Sequence, residues 1–588
     1  MNKLTTAILL IISATVYTSA QNLSEEVIID REITPIVRNT TRPSWVMPSL
    51  LSPKVRTSPL AFNEYVGSAE ITRSILTLDP VAWADSVMRS PYRGYASIGF
   101  FPAFNLGASA GYRFIRDAKT NIGARFSYEG SSWSAWKRYN DKYKQNKLEF
   151  GADATVLFNA GKLVADLEYS YSSSDMAYVP DEYKRGTQAL SAIDLSASWT
   201  PAKTARIGWN VHTKINYGGF TSGKSSVFDG FNTLLDKPYG FEPVKDFNLA
   251  LGSDLSYKLA EKSKILLDLS VKFRHLNTFA TLVPELFVAG IPGLEDIPVV
   301  MPAVSGGQTM GIITVSPGYF FMNGDLSGRL GLRADFNTGG FNHKLYVAPD
   351  IELRYAAARH LTVFLNAKGG EVMNTNSELW QRDPWMTGVF AVERSHINAD
   401  VDLGFTFGSY KGFWATMNVG WSSVSDWAVP VTVNYINMWK NSKSFSGVDL
   451  GLELGYSWKD LLTVQAKAQG ASRSKYYKWQ DNARWALDFA AKVRPLKPLQ
   501  IELGYSARVG RQSFLWTSRP GVTDYAVFES TAIDTGSVSN LFVGAEYEIT
   551  SAFGAFAKVE NLLNNHWAET LTVRSKGVNG LLGVQYKF

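Results

Sequence analysis

The last eleven residues, Val578-Asn579-Gly580-Leu581-Leu582-Gly583-Val584-Gln585-Tyr586-Lys587-Phe588, constrain the fold more than any other stretch. At strand period, Val578, Gly580, Leu582, Val584, Tyr586 and Phe588 share one face, and Asn579, Leu581, Gly583, Gln585 and Lys587 share the other. The first face is apolar and ends in aromatics, whereas the second is mostly polar. This is the pattern of a strand with lipid on one side and water on the other. Lipid cannot hydrogen-bond an open sheet edge, so such a strand is expected to close a barrel. Tyr586 and Phe588 are then expected to be the signal read by the outer-membrane insertion machinery.

The same alternation recurs along the chain. Phe247, Leu249, Leu251, Leu255, Tyr257 and Leu259 oppose Asn248, Asp254, Ser256 and Lys258; after a turn at 260–264, Ile265, Leu267, Leu269, Val271 and Phe273 oppose Asp268, Ser270, Lys272 and Arg274. Hairpins of the same kind pair 148–158 with 163–171, 448–458 with 462–468, and 485–493 with 499–505. The other strand ends are joined by 130–145, 174–187, 218–245, 277–307, 372–393, 424–445, 509–535 and 563–577, which read as long irregular loops. Short turns on one side and long loops on the other place the turns in the periplasm and the loops outside. Strands counted from 94–101, 106–117 and 120–129, with 578–588 ending at the periplasm, number about 22. The expected fold is all-β, a transmembrane antiparallel β-barrel embedded in a lipid bilayer.

Composition agrees. Charged residues are 19% and aromatics 13%, with 48 Gly, 27 Tyr and 17 Trp, as alternating lipid and lumen faces with aromatic girdles require. No apolar run of helix-spanning length follows residue 20, which excludes a helical membrane protein. A net charge of +6 is too dilute for nucleic-acid binding. The absence of cysteine excludes disulfides, thiolate catalysis, Cys-ligated zinc and a lipid-anchored mature N-terminus. The 6 histidines show no metal-ligand spacing, so no metal and no cofactor are expected. His396 beside Asp400 and His566 beside Glu569 are the rim pairs that could serve an enzyme. Both read better as wall, and no catalytic residue is assigned. Mixed inward charges, among them Glu149, Asp153, Asp254, Asp268, Lys272, Arg274, Asp400, Asp402, Glu453, Lys467, Asp488 and Glu502, read as a lumen wall whose opposite charges satisfy one another.

Residues 1–20, with Lys3, an apolar stretch at 7–12 and Thr18-Ser19-Ala20, read as a signal peptide cleaved after Ala20, which directs the chain to the outer membrane of a Gram-negative bacterium. Residues 21–91 carry Pro35, Pro43, Pro48, Pro53, Pro59, Pro80 and Pro91 and read as a short periplasmic or lumen-entering arm rather than a full plug domain. The barrel domain is 92–588.

Glu560-Asn561-Leu562-Leu563-Asn564, followed by a loop and the terminal strand, resembles the penultimate strand and final loop of TonB-dependent receptors. The resemblance implies a 22-stranded barrel, receptor-like binding or passage of a solute or nutrient, and an energy-coupling periplasmic partner, with Glu26-Val27-Ile28-Ile29 standing where the coupling box would lie. With its short arm, and with Arg93-Gly94-Tyr95-Ala96-Ser97-Ile98-Gly99-Phe100 opening the barrel, the chain is similar to the shortened, plugless receptor-like barrels of Bacteroidota. Within 279–304, Leu286, Phe287, Ile291, Val299 and Val300 make an outside loop too apolar to stand in water. It is expected either to cap the mouth or to meet a partner such as a surface lipoprotein. The alternative function is a barrel subunit that scaffolds an outer-membrane export or assembly complex and transports nothing.

Overall fold

The computed structural model describes residues 92–588 except 102–104, 135–141, 176–186, 203–205, 223–243, 278, 284–300, 306, 340–344, 386–391, 393, 409–411, 434–435, 442–443, 460, 474–482, 520–526 and 571–572. The first third of the barrel contains β1 (Gly94–Phe101), β2 (Asn105–Arg116), β3 (Thr120–Ser134), β4 (Lys142–Phe158), β5 (Gly161–Asp175), β6 (Thr187–Pro201), β7 (Ile207–Ser222), β8 (Val244–Ala260) and β9 (Ser263–Leu276). After the loop hairpin β10 (Phe279–Val283) and β11 (Met301–Ser305) come β12 (Gln308–Asn323), β13 (Leu326–Gly339), β14 (Leu345–Ala358), β15 (Leu361–Val372), helix α1 (Asn376–Arg382), β16 (Ser395–Gly408) and β17 (Phe413–Ser425). The remainder is β18 (Ala428–Val433), β19 (Ile436–Asn441), β20 (Phe445–Trp458), β21 (Leu462–Arg473), β22 (Trp485–Leu496), β23 (Leu499–Val509), β24 (Gln512–Arg519), β25 (Val527–Asp534), β26 (Val538–Glu548), β27 (Phe553–Glu560), β28 (Ala568–Thr570), β29 (Val573–Arg574) and β30 (Asn579–Lys587).

A 22-stranded sheet closes on itself through antiparallel pairing of β30 with both β27 and β1. No helix among the described residues is long and apolar enough to cross a membrane; the strands do the crossing. The strand alternation has the expected phase. Leu251, Tyr257, Ile265, Leu269, Val271, Leu582, Val584, Tyr586 and Phe588 all stand exposed on the outer face. So much exposed hydrocarbon on a closed wall is stable only in lipid. Aromatics collect at the short-turn end, where Phe158 meets Trp199 at 5.7 Å, Phe407 meets Phe413 at 6.5 Å and Tyr112 stacks on Phe588 at 5.9 Å.

The inner face is an ion-paired wall. Arg125 binds Asp166 at 2.8 Å and Glu168 at 2.7 Å, and Arg329 binds Asp268 at 2.8 Å and Asp350 at 2.5 Å. Arg508 binds Asp488 at 3.0 Å, Lys467 binds Glu453 at 3.3 Å, and Arg113 and Lys368 contact Asp153 and Glu352. Most of these pairs face water, so each stabilises little. Together they keep the lumen polar.

The long connections are more ordered than the loops the sequence suggests. The strands β3, β4, β7 and β8 run on past the expected loop boundaries, and β10–β11, α1, β18–β19, β24–β25 and β28–β29 lie inside the connections. Local pairing supplies the backbone hydrogen bonds that a long loop would otherwise leave to water.

Candidate functional site

Between β15 and β16 the described residues of the connection leave the β15–β16 ladder and pack along the inner faces of β9, β8, β7, β6 and β5. Its departure is set by two glycines. The β15–β16 ladder shifts register between Lys368 and Gly370, and the β16–β17 ladder shifts between Ile397 and Ala399. Gly370 has φ +127°, which a side chain would strain. Bulges of this kind bend a strand, and two at one level turn the top of the β15–β16 hairpin. The described residues beyond it, 372–385, 392 and 394, are termed the strap.

The strap begins with α1. Thr375 is the N-cap, its Oγ1 accepting from Glu378 N at 3.2 Å while Glu378 Oε2 accepts from Thr375 N at 3.2 Å, a reciprocal capping box. A seven-residue helix is marginal alone; docking on the inner faces of β6 to β9 holds it. Arg274 of β9, fully buried, donates from Nε and Nη2 to the carboxylate of Asp246 of β8 at 3.0 and 3.1 Å. It also donates from Nη1 to Val392 O at 2.9 Å and from Nη2 to Asn376 Oδ1 at 3.1 Å, and Asp246 accepts from Asn376 N at 2.8 Å. Asn216 reaches Ser377 at 3.3 Å, and both Ser174 and Gln188 donate to Pro384 O at 2.7 Å. These wall residues are the lumen-facing partners of exposed Tyr169, Ile193, Tyr217 and Phe273 on the same strands, so the strap lies inside the barrel.

Apolar contacts flank this polar row. Trp380 meets Phe220 at 5.6 Å within a cluster containing Leu190, Leu276, Met310 and Met373. Trp385 packs edge-on to Trp133 at 5.7 Å and Tyr143 at 6.0 Å. At the return end Arg394 donates to Gly311 O and Thr338 O at 3.2 Å and to Gly339 O at 3.1 Å. Arg382 stacks over Trp439 at 4.6 Å and donates to Ala428 O at 3.2 Å.

A second segment reaches the same place from the other side. Asn561, buried and at φ +51°, turns the chain out of β27. Its side chain accepts from Asn565 N at 3.0 Å and donates to Asn565 O and Lys576 O at 2.8 Å each. Asn564, also at φ +51°, accepts from Val578 N at 3.2 Å. Asn tolerates this left-handed backbone better than most residues. Glu560 pairs with Lys558 at 2.8 Å, and Leu562 and Leu563 stand exposed. The motif is therefore a corner piece, beyond which the described residues 573–576 lie against the inner wall. There Arg574 O accepts from Trp133 Nε1 at 3.0 Å, Lys576 donates to Ser131 at 2.7 Å, and Val573 joins Tyr143 and Trp385.

Tyr586 and Phe588 lie on the outer face at the seam, where Phe588 O accepts from Arg93 N and Gly94 N at 2.7 Å each. Glu26, Val27, Ile28 and Ile29, and Leu286, Phe287, Ile291, Val299 and Val300, lie outside the described residues; only the β10–β11 hairpin flanking the latter is described. His396 Nδ1 lies 3.0 Å from Glu371 Oε1 rather than beside Asp400, and its ring packs tilted against Tyr346 at 4.0 Å. His566 is exposed. No three His, Asp or Glu side chains among the described residues are grouped as a metal site requires. Arg274 stands inside the strand pattern and Asp246 is not singled out by it, and nothing in one sequence says what meets them. The visible signal for the strap was Thr375-Asn376-Ser377-Glu378, a capping-box spacing before Leu379 and Trp380.

The barrel superposes on solved iron transporters and siderophore receptors. The FrpB iron transporter of Neisseria meningitidis matches with TM-score 0.60 at 12% identity, covering 85% of this chain and 82% of that one. The ferric enterobactin receptor PfeA of Pseudomonas aeruginosa matches with TM-score 0.59 at 11% identity, over 85% and 82%. FpvA of P. aeruginosa, solved bound to pyoverdines, matches with TM-score 0.58 at 12% identity, over 84% and 72%. The fold is that of the TonB-dependent receptor barrel. No protein-family model matches the sequence, and no curated protein does. At these identities the receptor-barrel fold is what is shared, and function has to come from the site.

Proposed function

We propose that this protein is a receptor-like barrel of the Gram-negative outer membrane that binds a solute or nutrient and passes it through the lumen. The observation that carries the reading is a wide, polar, ion-paired barrel onto whose inner wall the strap and the final loop fold. Twenty-two strands enclose a lumen that needs filling or gating, and the solved barrels of this fold are described as an iron transporter and as ferric siderophore receptors. Nothing in the lumen wall names the solute. The domain scheme of leader, arm and barrel is part of this reading, as are the insertion machinery acting on Tyr586 and Phe588 and an energy-coupling periplasmic partner meeting Glu26-Val27-Ile28-Ile29. A surface lipoprotein at Leu286, Phe287, Ile291, Val299 and Val300 is the further partner it allows.

Replacing 374–393 with a short Gly-Ser turn tests passage. The variant is expected to keep its folded mobility on gels and to raise single-channel conductance in planar bilayers sharply. Low conductance, both in this variant and in the same variant lacking 22–91, would defeat it. The scaffold reading draws on the many side chains that hold the strap; it predicts low conductance in both variants together with release of a copurifying partner.

A further inference from the structure

We propose that the inner wall at the short-turn end of β7, β8 and β9 binds a phosphate-like polyanion carried by the solute. The inference rests on the passage reading above for the route by which the anion arrives, and it gives the solute a charge rather than a name. Higher on the wall, Arg329 meets Asp268 and Asp350, and Lys467 meets Glu453. The cations at this end do not. Lys258 of β8 stands directly opposite Lys264 of β9. Arg206 takes the matching place on the other side of Lys258, at the foot of β7, its carbonyl accepting from Lys258 N at 2.9 Å. Alternation turns all three toward the lumen, because Ile207, Tyr257, Leu259 and Ile265 beside them stand exposed on the lipid face. Neighbouring strands run about 4.8 Å apart, so three cations share about 10 Å of wall.

No carboxylate among the described residues answers this row. Past Lys264 it continues into Phe320 of β12, which is apolar. Asp254 and Asp268 lie four residues farther along β8 and β9, about 13 Å away at strand rise. Both are engaged there, Asp254 by Asn210 at 3.4 Å and His212 at 3.8 Å, and Asp268 by Arg329. Glu261 stands exposed on the intervening turn beside Lys262, and none of Arg206, Lys258 and Lys264 forms an ion pair with it. Like charges directly opposite on one face repel, so the row costs stability until an anion joins it. The wall also leaves room for one. A Cβ on Gly208 would meet only the side chain of Ser256, its register partner, whose hydroxyl makes a long 3.4 Å contact to Gly208 O. Gly208 thus opens a notch beside the row, with a neutral hydroxyl at its edge. Charge-assisted bonds from an arginine fork and two lysine point charges suit a phosphate better than a single carboxylate. The row faces the lumen, where bilayer headgroups do not reach, so the anion is a soluble one.

Pyrophosphate titrated into the full chain in detergent tests the site. Saturable binding is expected, weakened about tenfold or more by Arg206→Gln with Lys258→Gln and Lys264→Gln. Pyrophosphate should also raise the thermal unfolding midpoint of the parent and leave that of the triple variant unmoved. Without ligand the variant should unfold no earlier than the parent, because its repulsion is gone. Should the triple variant fail to fold, judged by heat-modifiable mobility on gels, Lys264→Glu alone gives Lys258 a cross-strand partner and is expected to lose binding with the barrel intact. Arg359→Gln with Lys459→Gln, which removes exposed cations from two other short turns, should bind as the parent does. No saturable binding by the parent, or equal weakening in this control and the triple variant, would overturn the site. So would binding of polyglutamate with none of pyrophosphate, which would assign the row to an acidic protein partner. Binding is read without transport, so a conducting strap-shortened barrel that ignores pyrophosphate defeats the anion site alone, whereas a silent one removes the passage reading whatever pyrophosphate does.

Discussion

The wall is tall on one side and low on the other. β4, β7 and β8 run 17, 16 and 17 residues, whereas β27, β30 and β1 at the closing seam run 8, 9 and 8. Both sides cross the same membrane, so the extra turns of the tall side stand beyond the bilayer. Their inward faces carry the side chains that receive the strap, including Ser174, Gln188, Asn216, Asp246 and Arg274. The low side has no such height and sends a loop over instead, launched from the Asn561 corner. Strand length beyond the lipid is therefore what makes docking surface, and the seam is specialised for closure.

Four perturbations break or sharpen this contrast. The largest acts on the seam. Phe588 accepts from Arg93 and Gly94, donates to Gly94 O at 3.0 Å and stacks on Tyr112, so deleting it is expected to cut outer-membrane levels to a small fraction, read by fractionation and immunoblot. Normal levels would separate closure from that residue. Next comes the tall side, where Arg274→Ala leaves Asp246 buried without its cation. The local cost is expected at about 3 to 5 kcal/mol, seen as faster hydrogen exchange over 373–385 and tryptic cleavage at Arg382, with seam strands unchanged. A third pair of changes probes the shared lipid belt. Leu267→Arg on the outer face should cost about 2 to 4 kcal/mol near the midplane, while Ser270→Arg, facing the lumen, should be almost silent in denaturant unfolding. The smallest concerns fit at the seam: a Cβ on Gly583 would stand 2.7 Å from Gly99 Cα. Gly583→Val should cost about 1 to 3 kcal/mol and loosen exchange in β1 and β30 without exposing Arg382.

The two sides were unequally legible in the sequence. The lipid-facing rows, such as Ile265, Leu269 and Val271, announce themselves because lipid demands hydrocarbon at every second position, and closure follows from the terminal strand. The lumen row carries no such demand. Asp254 and Asp268 look like Asp246 in sequence, yet only Asp246 receives a strap from a segment 130 residues later in the chain. The charges of the wall were foreseeable as mutual partners because neighbouring strands fix their spacing. The strap was not, because long-range docking leaves no period to read. In sequence 372–393 reads as an irregular loop whose capping-box spacing goes unnoticed, and only the bulge at Gly369-Gly370 says which way the chain turns.

Outside the barrel, β18 and β24 pair in parallel through Thr432 with Leu515 and Val433 with Trp516, joining β19-β18-β24-β25 into one sheet. Those strands come from two separate surface loops. Exposed loops usually diversify one at a time under pressure from antibodies or phage, since each can drift without consulting its neighbours. Here an insertion in 428–441 alters the strand that 512–534 must pair with, so variants of this surface should arise as matched pairs of changes. An antibody raised against either loop as an isolated peptide should recognise the whole protein poorly.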